Sequence, residues 1–133
     1  MEMPPLEIRL PEWLEARMAH GLPPMPDPRE QMRFAIALAR DNVNQGTGGP
    51  FGAAVFDATG LLVAPGVNLV LHLNCALLHA EMVALALAQR RLGRHDLSDG
   101  GRLQYTLVSS AEPCAMCLGA IPWTGVTRFV CGA

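Results

Sequence analysis

The chain contains no lysine: all ten basic residues are arginine, set against twelve acids for a formal net charge of -2. That absence removes Schiff-base lysine catalysis and the P-loop lysine, since both need a primary amine. Nor is there a basic excess to act as a footprint for a long nucleic acid. No apolar run is both long and uninterrupted enough to span a bilayer, and no repeat or low-complexity tract occurs in the 133 residues. The first ten residues, MEMPPLEIRL, are acidic and proline-bearing where a signal peptide is basic and then apolar, so a cytoplasmic location is expected. With 50% hydrophobic and 17% charged residues, the composition excludes a disordered chain and suits one soluble domain with a real core. Cysteine is limited to four. In a reducing compartment, a Cys-x-x-Cys beside proline points to metal or redox chemistry before disulfides.

Prolines crowd the start of the chain, so residues 1–26 read as a Pro-rich N-terminal arm that cannot be one continuous helix and drapes over the domain of residues 27–133. Within the arm, Pro11 opens a short helix carrying Trp13, Leu14 and Met18, stopped by Gly21, and its apolar stripe implies a packing role. Asp27-Pro28-Arg29-Glu30 reads as an N-cap, a first-turn proline and a capping-box glutamate. In the helix that follows, Met32, Ile36, Ala39 and Val43 recur at helical spacing and define the expected apolar face, with Gly46 as the stop. Ala53–Asp57 and Leu61–Asn68 read as antiparallel strands joined by Ala58-Thr59-Gly60. A helix is expected from His79 to Leu92 with Gly93 as its stop, then a strand over Leu103–Ser109, a helix opened by Pro113, and a strand over Thr127–Cys131. Strands alternating with helices after a hairpin imply a mixed sheet in a layered α/β domain.

His79-Ala80-Glu81, followed by Pro113-Cys114-Ala115-Met116-Cys117, carries the chemistry. Zinc favours imidazole and thiolate, and a catalytic zinc takes three protein ligands with the fourth position left for water, a count that His79, Cys114 and Cys117 fill. Both groups sit where a loop or strand turns into a helix, and exposed N–H groups at a helix start favour thiolate over thiol. One helical turn puts both sulfurs on the same side of the helix start. Glu81 is two residues from His79, which is not a same-face spacing, so it suits a carboxylate reaching past the metal more than a fourth ligand. Zinc lowers the pKa of water toward neutrality, and a carboxylate within hydrogen-bond reach can take that proton and return it to a leaving group. The site therefore reads as hydrolytic.

H-x-E with P-C-x-x-C is the signature of zinc-dependent nucleobase deaminases. Gly48-Gly49-Pro50-Phe51-Gly52-Ala53, Asn68, His79-Ala80-Glu81 and the run from Glu112 through Cys114 and Cys117 to Ile121 together make residues 27–133 resemble the cytidine deaminase-like superfamily. Within it the chain is most similar to bacterial guanine deaminases and related nucleoside deaminases of the zinc-binding CMP/dCMP deaminase family. The resemblance implies a three-layer α/β cytidine deaminase-like fold, a mixed β-sheet with helices on both faces. It implies Zn2+ on His79, Cys114 and Cys117, with Glu81 as proton shuttle. For the substrate it implies that Asn68 hydrogen-bonds a free nucleobase, that Phe51 and Trp123 line or stack on it, and that the Ala80 N–H faces its carbonyl. An aromatic face plus an Asn amide, which both donates and accepts, is ordinary recognition of a flat polar ring. Family relatives imply a homodimer, and they continue past the last strand with a further strand and helices, so the chain is expected to lack a C-terminal segment.

Blander readings attach to the same residues. A redox Cys-x-x-Cys is the alternative to the metal site. A structural zinc would want a fourth ligand, for which Cys75 is the nearest candidate in sequence, and core packing suits Cys75 better. Cys131, in a short apolar strand, reads as a small buried hydrophobe. Taken alone, Phe51 and Trp123 read as core aromatics and Asn68 as a turn residue bonding local backbone. Arg90, Arg91 and Arg94 read as a solvated helix end, and His20, His72 and His95 as loop residues without a role. Guanine deamination is the expected function. The alternatives are a deaminase acting on tRNA or single-stranded nucleic acid, which the acidic balance disfavours, and a truncated, inactive zinc-stabilised oligomerisation or binding module.

Overall fold

Asp27 opens the longest helix as the sequence predicts: its Oδ1 accepts from the Arg29 N–H at 2.9 Å and Pro28 occupies the first turn. In the computed structural model, which describes residues 1–133, the elements run α1 (Glu12–Ala19), α2 (Pro28–Asn44), β1 (Gly52–Phe56), β2 (Leu62–Val67), α3 (Ala80–Leu92), β3 (Thr106–Ser109), α4 (Ala115–Ala120) and β4 (Arg128–Cys131). A 3₁₀ turn over Ile121–Thr124 separates α4 from β4. Pro122 accounts for it, because it cannot supply the N–H that would continue α4.

The sheet order is β2-β1-β3-β4, with β1 antiparallel to both β2 and β3, and β3 parallel to β4. Side chains alternate along β1. Ala53 and Val55 join Ala80, Ala84, Leu85 and Ala88 of α3 in one core, while Ala54 and Phe56 meet Ala35 of α2 in another. Helices thus cover both faces, and a strand buried on both sides explains the unbroken apolar run Gly52–Phe56. A third core gathers Leu14 of α1, Leu38, Val67, Leu69, Leu78 and Val83, so α1 packs against the domain through Leu14 while most of the first ten residues are exposed. No helix is long and apolar enough to cross a membrane.

Two glycines bring the helices close to the sheet. A Cβ on Gly52 would collide with the backbone of α2 at Ala35 and Ala39, and one on Gly66 with the backbone of α3 at Ala80 and Ala84. That close approach corrects the expected face of α2. Gln31, Ala35, Leu38, Ala39 and Asn42 point inward, whereas Ile36 and Val43 are 50% and 49% exposed. Small residues are required where helix backbone meets strand, and the two inward amides are hydrogen-bonded, so apolar periodicity points one residue off the true face.

Other expectations change for equally local reasons. Cys131 is exposed, because β4 is an edge strand with little packed against it. Arg91 donates to the Leu62 and Val63 carbonyls of edge strand β2, and Arg94 donates to the Tyr105 hydroxyl at 2.9 Å with its guanidinium 5.8 Å from that ring. Those two arginines therefore hold the end of α3 to the sheet, where simple solvation was expected.

Candidate metal centre

The candidate metal-ligating side chains stand at two helix starts that the fold brings together. His79 is the N-cap of α3, Cys114 is the N-cap of α4, and Cys117 lies in the first turn of α4. Gly66 lets the first turn of α3 seat directly on β2, and α4 follows the end of β3 through Ser110-Ala111-Glu112-Pro113. Cys114 Sγ lies 3.5 Å and Cys117 Sγ 3.7 Å from His79 Nδ1, and the three donor atoms all fall within 4.8 Å of one another. Tetrahedral zinc, with bonds of about 2.3 Å to sulfur and about 2.0 Å to nitrogen, places neighbouring donors about 3.5 to 3.8 Å apart. The observed separations match, and the donor types are those zinc prefers.

Electrostatics divide the two thiols, and only Cys114 keeps the expected bias toward thiolate. The Cys117 N–H at the start of α4 holds the Cys114 thiol below its ordinary value. Burial, the Glu81 charge and the Cys114 sulfur push the Cys117 thiol far above its ordinary value. Glu81 is 6% exposed and takes part in none of the four ion pairs. Two sulfurs and a buried carboxylate are thus gathered without an arginine, a donor set whose mutual repulsion a divalent cation would relieve. All four cysteines are free, so the Cys-x-x-Cys holds no disulfide.

Glu81 is positioned by a residue that sequence reasoning passed over. Ser109 Oγ, at the end of β3, donates to Glu81 Oε1 at 3.0 Å, and Glu81 Oε2 lies 3.5 Å from Cys117 Sγ. The available signal was a serine closing the apolar strand Thr106–Ser109, but Ser110 follows it and the doublet hides which hydroxyl turns inward. Ser110 has a different partner: its Oγ accepts from the Gly52 N–H at 3.0 Å, tying β3 to the segment that carries Phe51.

The residues expected at the base fall into separate groups. Phe51 and Asn68 lie together where β1 begins and β2 ends, joined by the Asn68 N–H donating to the Phe51 carbonyl at 3.3 Å. A Cβ on Gly49 would stand 3.5 Å from the Phe51 ring and 3.8 Å from the Asn68 carboxamide carbon, so both side chains border one point. The Asn68 carboxamide oxygen accepts from the Val70 N–H at 3.2 Å, the local turn bond its residue type favours. Ala80 is the first residue of α3, where a helix leaves its N–H without an intrahelical acceptor. Trp123, in the 3₁₀ turn, is 85% exposed, and Phe51 is 43% exposed, so neither is a core aromatic. Cys75 is half-buried against the third core, among apolar neighbours.

Comparison with known proteins agrees with this geometry. Over 92 residues the chain is 42% identical to a guanine deaminase from Bacillus subtilis, an alignment covering 69% of this chain and 55% of that protein. A tRNA-specific adenosine deaminase from Haemophilus influenzae is 34% identical over 104 residues, 78% of this chain and 57% of that protein. The chain thus spans little more than half the length of these curated relatives. Among solved structures, the guanine deaminase from Nitrosomonas europaea superposes with a TM-score of 0.89 at 43% identity, covering 100% of this chain and 73% of that one. The family model for the cytidine and deoxycytidylate deaminase zinc-binding region matches residues 25–133, and with the three-layer fold and the His79, Cys114 and Cys117 donor set it establishes that the chain belongs to that family.

Proposed function

We propose that the protein hydrolyses the exocyclic amine of free guanine, giving xanthine and ammonia. One observation carries this reading: a metal-ligand triad and a buried, hydroxyl-anchored carboxylate lie on a fold matched along its whole length by a guanine deaminase at 43% identity. His79, Cys114 and Cys117 would hold zinc, which when bound supplies the Lewis acidity that makes water a nucleophile near neutral pH. Glu81 moves the protons. Its carboxylate takes one from the attacking water and delivers it to the amine nitrogen, so that a C–O bond forms, the C–N bond breaks and ammonia departs. Burial of Glu81 and the Ser109 bond keep that carboxylate in one orientation through both transfers.

Recognition of the base falls to Asn68, whose carboxamide would exchange its weak turn bond for ring heteroatoms, and to the exposed faces of Phe51 and Trp123. The Ala80 N–H is the donor for the base carbonyl. We further propose a homodimer acting in the cytoplasm. Leu77, Leu118 and Trp123, one to six residues from a proposed metal ligand in sequence, are 59%, 58% and 85% exposed, and burial of such apolar side chains against a second copy supports this reading.

The test is ammonia release from guanine, adenine, cytosine, cytidine and ammeline by zinc-loaded protein, with Glu81→Ala as control. Guanine turnover lost in the variant is expected. Turnover of cytosine or cytidine alone would refute the purine assignment. Salt-sensitive binding and deamination of a tRNA hairpin would replace it with the nucleic-acid reading. One equivalent of zinc with no turnover of any base would leave an inactive binding module.

A further inference from the structure

Asn42, in the last turn of α2, is completely buried and contributes nothing to the metal centre. Its Nδ2 donates to the carbonyls of Gly49 and Asn68, each at 3.0 Å, and so bonds together two segments that are far apart in sequence. Its Oδ1 accepts from Thr47 Oγ1 at 2.6 Å, and Thr47 Oγ1 in turn accepts from Trp13 Nε1 at 3.0 Å. The direction of this chain is determined at both ends. An indole N–H can only donate and a carbonyl can only accept, so the hydroxyl proton must point to Asn42 and the Asn42 amide must turn toward the two carbonyls. The Asn42 backbone carbonyl, 3.3 Å from Thr47 Oγ1, is a second and more distant acceptor for the same proton, so either way the hydroxyl donates to Asn42.

We propose that Trp13, Thr47 and Asn42 form a positioning relay through which the N-terminal arm sets the geometry of the base-binding segments, and hence affinity for the base. The inference rests on the roles proposed above for Phe51 and Asn68. Gly49, which Asn42 holds, lies two residues before Phe51 and borders both the Phe51 ring and the Asn68 side chain. Gly48 is confined by the same group, since a Cβ there would collide with the Asn68 carbonyl oxygen and stand 2.7 Å from Asn42 Nδ2. At the other end the arm is anchored. Leu14 is fully buried, and Arg17 donates to Asp41 at 2.7 Å with its guanidinium 5.0 Å from the Trp13 ring. A buried amide bridging two substrate loops, reached from the arm through an indole, has no counterpart in the proton-transfer machinery. Its effect belongs on binding.

Thr47→Val tests this, because it keeps the side-chain shape and removes the hydroxyl's bond from Trp13 and its donation to Asn42. Losing two hydrogen bonds of ordinary net strength corresponds to a change of about 5- to 150-fold. That factor is expected in KM for guanine, with kcat within about threefold and zinc still at one equivalent. Thr47→Ser should restore KM, and Trp13→Phe should raise it. Hydrogen–deuterium exchange on the same variant should quicken over residues 46–51 and 68–70 while α3 and β3 are unchanged. An unchanged KM, a loss confined to kcat, or exchange that rises uniformly or not at all would overturn the relay. Should the wild-type protein turn over no base, the substrate reading falls alone, and the exchange pattern still decides whether the relay orders these loops.

Discussion

Replacing Ser109 with alanine isolates the contribution of the hydroxyl that orients the proposed proton shuttle. The bond it removes is 3.0 Å long and runs between two buried groups, an O–H donor and a carboxylate. Hydrogen bonds to charged acceptors are worth about 1.5–3 kcal/mol net, more than neutral ones, because the unpaired partner keeps its desolvation cost. Unfolding entropy of about 2.1 cal/mol/K per residue gives about 0.28 kcal/mol/K for a chain of this length, so the substitution should lower Tm by about 5–11 °C. Ser110 stands elsewhere in the structure, its Oγ accepting from the Gly52 N–H at 3.0 Å and making no bond to Glu81. The carboxylate then samples several rotamers, and kcat should fall about tenfold or more while KM for guanine changes little. Steady-state ammonia release, zinc content and calorimetry on one preparation check both halves. A variant with wild-type kcat would refute the argument that the hydroxyl orients Glu81, and one with unchanged Tm would show the bond to be energetically empty.

Glu81→Gln retains the shape of the shuttle without its basicity, so kcat should drop about 10²–10⁴-fold with zinc still bound at one equivalent; loss of zinc would instead make Glu81 part of the metal's own coordination. Leu14→Ala opens a cavity in the third core, where Leu14 meets Leu38, Val67, Leu69, Leu78 and Val83. It should cost about 2.7–5 kcal/mol and lower Tm cooperatively, as calorimetry would show, whereas a small local loss would mean that the arm docks without belonging to the folding unit. Asp41 is held below its ordinary value of 3.8 first by its hydrogen bond from Arg17 and further by Arg40. A depressed carboxyl stabilises the fold above its unfolded pKa and loses that effect as pH falls through the folded value. The Tm gap between wild type and Asp41→Asn should therefore be full at pH 6 and close below the folded pKa, itself under 3.8; a gap independent of pH would exclude the ion pair as its source.

The parts of the site legible in the sequence are those where chemistry restricts residue type. Few residues ligate zinc, so His79, Cys114 and Cys117 stand out by identity and spacing, and the fold brings their donor atoms within 4.8 Å. The Asp27-Pro28 and Gly93 signals read equally well, because each acts on the backbone beside it, whereas Glu30 makes no capping-box bond. Periodicity was weaker where packing is unusually close. On α2, Ala35 and Ala39 face the sheet since Gly52 admits nothing larger, and the inward polar residue Asn42 carries the relay. No apolar pattern can reveal a buried amide whose value lies in two carbonyls distant in sequence. Ser109 was hidden for a related reason, its partner being the Glu81 carboxylate across the interior. Edge position, a property of the whole sheet, decided the exposure of Cys131.

Deamination of a free purine is proposed to depend on zinc held by His79, Cys114 and Cys117, with Glu81 beside it. One titration examines it most directly: metal-free protein is reloaded with increasing zinc while ammonia release from guanine is followed. Activity rising in step with zinc and saturating at one equivalent per chain, with Cys114→Ala abolishing both binding and turnover, is the predicted result. Guanine turnover that persists in the metal-free protein, or zinc bound at full stoichiometry by Cys114→Ala, would contradict it.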